Sequence, residues 1–206
     1  MALIERRPSS MVAPTEGNER LTGLTAVVLL VLLAVEGVTI VLLRPFLAVH
    51  FFVGLMLIPP VGLKLASTGY RFWRYYTGKP EYVLRGPPHV LLRLLAPLVV
   101  VSTFAVFATG VGLLALGPGH DALVGLHKAS FVVWLCATGA HVLVHVRRLP
   151  GLAFASGHGA RRRLAVVTLT VLAGGALALS TLSLASPWTR WVDRDHAEAA
   201  HLNVLM

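Results

Sequence analysis

Two pairs of polar residues recur at one interval along the chain. His50 and Lys64 are fourteen residues apart, and so are His127 and His141. On an α-helix fourteen residues fall about 40° short of four full turns and span about 21 Å. Each pair therefore shares one helix face, with one member near each end of a membrane-length helix. The two helices run in the same direction, so His50 matches His127 in depth and Lys64 matches His141. Neutral imidazoles that face one another across a bundle suit a haem iron held from both sides. The stretches between carry small residues at the same interval, Gly23 with Gly37 and Ala96 with Gly110. Small residues remove side-chain bulk and allow close approach. These stretches run the opposite way, which puts Gly37 and Gly110 at the level of the first histidines and Gly23 and Ala96 at the level of Lys64 and His141.

The elements that must position these residues are apolar. The chain has 206 residues, is 56% hydrophobic and 13% charged, and has a mean hydropathy of +0.75, the compositional mark of membrane spans. A span needs about 20 apolar residues to cross about 30 Å of hydrocarbon. Five stretches qualify, at about 21-43, 46-66, 90-116, 122-146 and 164-186. Backbone groups in lipid must be bonded internally, so the spans are helices. The fold class expected is all-α: a polytopic membrane bundle of five transmembrane helices.

The basic residues lie between the spans. Twelve (Arg6, Arg7, Arg20, Arg71, Arg74, Lys79, Arg85, Arg147, Arg148, Arg161, Arg162 and Arg163) fall on one side, and four (Arg44, Lys128, Arg190 and Arg194) on the other. By the positive-inside rule the N-terminus is cytoplasmic and the C-terminus external, in a plasma (inner) membrane. Membrane lipid rather than nucleic acid explains the net charge of +9. Residues 1-20 read as a flexible cytoplasmic tail, 147-163 as a cytoplasmic loop and 187-206 as an external tail. The loop 67-89 alternates aromatics with cations, as an interfacial anchor does.

With two-histidine helices alternating with helices that carry two small residues, residues 21-146 resemble the four-helix core of membrane b-type cytochromes; the fifth span, 164-186, is an addition. The resemblance implies non-covalent haem b between the second and fourth helices. His50 and His127 would be its axial ligands, and quinone, or an extracytoplasmic or membrane oxidoreductase, would be the electron partner. Lys64 departs from the pattern, since a second histidine is expected there, which leaves a second haem on His141 open.

Lys64 has three readings: an amine ligand opposite His141, a charge snorkelling to the surface, or a partner for a haem propionate. His141 and His145 share a face at i, i+4, yet no HExxH or acidic ligand accompanies them, which argues against a zinc enzyme. His89 is a spare candidate opposite His141, while His120, His158, His196 and His201 read as solvated. Glu36, deep in the first span, must be paired or protonated. Lys128 and Arg44 are candidate partners, and a proton relay is the functional alternative. Cys136 reads as a packing residue. No CxxCH, P-loop or dinucleotide fingerprint occurs. A non-redox transporter or assembly factor with a buried proton or metal path is the rival reading.

Overall fold

The computed structural model describes residues 9–84, 90–145 and 159–194, with side chains over 15–84, 93–143 and 159–194. Among these residues every regular element is helical. Helix α1 covers Ser9–Val41, α2 Leu43–Tyr76, α3 Pro80–Val83, α4 Val90–Leu116, α5 Asp121–His145 and α6 Ala160–Thr181. A 3-10 turn at Leu182–Ala185 leads into helical residues 186–194. All but α3 are long and apolar enough to cross a membrane, α6 together with the helical turns that follow it. Their outward faces expose Val31, Val38, Leu94, Phe104, Val132 and Leu169, an arrangement that suits a hydrocarbon solvent and not water.

The helices overrun the expected spans. Helix α1 begins at Ser9, so residues 9–20, expected within a flexible tail, are helical. Helix α2 runs on through residues 67–76, where a loop is expected. Side-chain bonds explain the extension. Asn18 Nδ2 donates to the Ser67 carbonyl at 3.1 Å, Thr22 Oγ1 to Ser67 Oγ at 3.0 Å, and Arg71 pairs with Glu19 at 3.3 Å. The α1–α2 hairpin thus stays zipped beyond its apolar length. Likewise residues 186–194, expected in the external tail, are helical, and α6 starts at Ala160 inside the expected 147-163 loop. Residues 1–8, 147–158 and 195–206 of the expected tails and loop lie outside the described residues.

Helix α2 is the hub. It packs extensively on α1 and on α6, while α4 and α5 form a second hairpin that meets the first group mainly along α2 and α4. Helix α5 has no comparable interface with α1, α2 or α6 among the described residues. The α2–α6 contact has an identifiable cause. Pro60 has no N–H, so the Met56 carbonyl one turn earlier loses its helical donor. Gly174 of α6 sits directly against that carbonyl, where a Cβ would collide with it. Only glycine permits this approach, which allows a Cα–H···O contact in place of the missing bond. Val167 and Ala178, both almost fully buried, extend the buried face of α6 on either side of it.

Candidate functional site

Helix α1 buries one stripe, Thr25, Leu29, Glu36 and Thr39, at successive spacings of four, seven and three residues as a single helix face requires. It lies beside Val53 and Leu57 of α2, with Phe107 of α4 packed on the same cluster. Polar groups in that stripe need partners inside the bundle. The one whose burial costs most is the carboxyl of Glu36, and its partner is His50: Oε1 lies 2.9 Å from His50 Nδ1. Sequence spacing points to Lys128 or Arg44 for this carboxylate; Lys128 is exposed on α5, and the imidazole stands against Glu36 instead. Thr39 completes the group. Its hydroxyl donates to the Glu36 carbonyl at 2.7 Å and stands 3.2 Å from Oε2 and 3.3 Å from His50 Nδ1. Gly54, one turn along α2 from His50, faces the carboxylate, where a Cβ would make ordinary van der Waals contact with Oε1 at 3.4 Å.

His127 is held in a parallel way from α4. The Thr109 hydroxyl donates to the Ala105 carbonyl at 2.7 Å, so its oxygen, 2.9 Å from His127 Nδ1, accepts the ring's N–H. Gly110 makes room for the ring: a Cβ would fall 3.1 Å from Cε1. Further along the same face of α5, Trp134 Nε1 donates to Thr103 Oγ1 at 3.0 Å and pins α5 to α4. The two imidazole centroids are 6.4 Å apart, with planes at 76°. With the ring proton assigned to Nδ1, His50 meets a carboxylate and His127 a hydroxyl. That assignment leaves Nε2 of each ring unprotonated, the state in which a histidine nitrogen is able to bind a metal.

The other level is built differently. Lys64 Nζ donates to the Thr22 carbonyl of α1 at 2.8 Å, beside buried Gly23. Its cation is thus committed to the α1–α2 seam, the reading closest to a local charged anchor. His141 is half-buried on α5 and Ala96 is exposed on α4. At the first level Gly37 has open space where a Cβ would stand. Cys136 is exposed and His120 bonds the Gly117 carbonyl at 3.2 Å. His89, His158, His196, His201 and the His145 side chain lie outside the described residues.

Above His50, Phe51 packs on Trp188 with ring centroids 6.2 Å apart, and Trp188 Nε1 donates to the Leu113 carbonyl at 2.9 Å. Helical residues 186–194 thereby close that end of the bundle. Sequence reasoning missed Thr39, Thr109 and Trp134. The available signal was a hydroxyl at the depth of each histidine, Thr39 three residues from Glu36 and Thr109 next to Gly110. The arrangement defines a multi-pass helical membrane protein with a half-buried, oriented histidine pair. No protein-family model, curated protein or solved structure matches the chain.

Proposed function

We propose that this chain is a membrane haem b electron-transfer protein, with α1, α2, α4 and α5 as a cytochrome b-like core and one haem between His50 and His127. The observation that carries the reading is the pair of rings 6.4 Å apart, each with Nδ1 bonded to protein. Two imidazoles bonded at about 2.0–2.1 Å to one metal, with each ring centre about 1.1 Å behind its nitrogen, stand about 6 Å apart. Edge-to-face ring packing covers the same range, but it does not require both Nδ1 atoms to be tied back. A bare ion fits less well. Among the described residues no three His, Cys, Asp or Glu gather as a metal site, and a porphyrin supplies four nitrogens of its own. The marginal backbone packing of α5 on α1 and α2 supports room for a flat group there.

The bound group would supply one-electron redox chemistry. The chain's part is to hold it on His50 and His127, to fix both rings through Glu36, Thr39 and Thr109, and to keep water out with Val53, Leu57 and Phe107. Lys64 is engaged by Thr22, which favours a single haem. Electrons would enter or leave near the external face, to quinone or an extracytoplasmic or membrane oxidoreductase, in an inner membrane with the N-terminus cytoplasmic. A pyridine haemochrome assay on protein purified in detergent tests this, with about one haem b per chain expected. A preparation that stays colourless after haem is added overturns it. That result would favour the rival path for protons or metal ions along Glu36, His50 and His127, which the Glu36–His50 contact makes chemically coherent.

A further inference from the structure

We infer that Glu36 is a positioning residue that sets the reduction potential of this centre through His50, so that the two histidines are unequal ligands; this rests on the haem reading above. The inequality is visible in what each Nδ1–H meets. His127 gives its proton to the neutral hydroxyl of Thr109 at 2.9 Å, whereas His50 gives its proton to a carboxylate at the same distance. A charge-assisted hydrogen bond is about twice as strong as a neutral one, and it raises the basicity of the opposite ring nitrogen. Glu36 is only 8% exposed, within a span where a carboxylate is costly and by default functional. Buried negative charge interacts strongly in a low-dielectric interior. Both effects stabilise the oxidised, more positive iron over the reduced one. The carboxylate is also oriented: Oε1 lies 2.9 Å from His50 Nδ1, and Thr39 Oγ1 stands 3.2 Å from Oε2. A residue serving only to pair α1 with α2 has no need of that alignment on one ring nitrogen.

Optical redox titration of the haem-loaded protein and three variants decides the matter. Glu36→Gln keeps the shape and removes the charge. At a fixed ambient potential it should lower the ratio of oxidised to reduced haem by about tenfold or more, where each tenfold is 59 mV for a one-electron couple. Thr39→Val leaves the carboxylate but frees Oε2, and should shift the midpoint in the same direction by less. Thr109→Val should weaken haem retention with a smaller midpoint change than Glu36→Gln. An unchanged midpoint in haem-replete Glu36→Gln overturns the inference, as does a shift in Thr109→Val equal to it. If Glu36→Gln fails to hold haem, an unchanged midpoint in Thr39→Val overturns it as well. In each of these results wild type still binds haem, so the underlying function survives; a haem-free wild type removes both.

Discussion

The two levels of the bundle start from the same sequence interval and end in different chemistry. At the His50 level, polar side chains on α1 and α4 turn each histidine inward, and the rings approach to 6.4 Å. At the Lys64 level, the polar groups of α1 and α2 satisfy each other along their own seam, with Lys64 on the Thr22 carbonyl and Asn18 and Thr22 on Ser67. A shared depth does not make a site. What makes one is a neighbour that consumes the outer nitrogen and leaves the inner one available, and only the first level has such neighbours for a facing pair among the described residues.

That contrast can be broken by substitution. The largest effect should come from His50→Ala or His127→Ala, each of which should abolish the haem absorbance of purified protein; His141→Ala should retain it. Equal loss in all three would erase the distinction between levels. A smaller effect is expected of Lys64→Met, which removes a hydrogen bond to a charged group, worth about 1.5–3 kcal/mol. Its thermal unfolding midpoint in detergent should fall while haem content holds; loss of haem would return Lys64 to a cofactor role.

The smallest effect concerns the turn beyond the Lys64 level, where Arg74 pairs with Glu81 at 3.0 Å and lies over the Tyr70 and Tyr82 rings. The Glu81 carboxyl is held below its ordinary 4.5, first by its own backbone N–H and then by Arg74. A depressed carboxyl contributes stability that is fully present above 4.5 and is lost as pH falls through the folded value. The protection of the amides over residues 77–84, taken relative to their intrinsic exchange at each pH, should therefore fall below pH 4.5 in wild type and lose that dependence in Glu81→Gln. Haem binding should not change with it.

Much of this architecture was legible because hydrocarbon imposes a simple rule on sequence. The five spans followed from apolar runs, and the facing of His50 and His127 from matched depth. The finer chemistry was not legible, for reasons specific to the residues. Thr39 and Thr109 look neutral in a span, because a threonine hydroxyl can always bond a carbonyl in the preceding turn, as both do here. Whether the oxygen also meets a ring depends on how two helices are rotated, which spacing along one helix does not encode. The Lys64–His141 match carries less information for a related reason. Between His50 and Lys64, α2 passes Pro59 and Pro60, where helical hydrogen bonds are missing. An interval along one helix fixes depth and face on that helix, and the partner each side chain meets is set by the neighbouring helix.

Gly174 gives the fifth span a purpose that the four-helix comparison leaves out. The Met56 carbonyl, stripped of its donor by Pro60, would otherwise face oil. The last span works as a splint across the weak point of the helix that carries His50. Paring the protein down to its first four membrane helices would thus remove the brace on the helix that sets one histidine against the other.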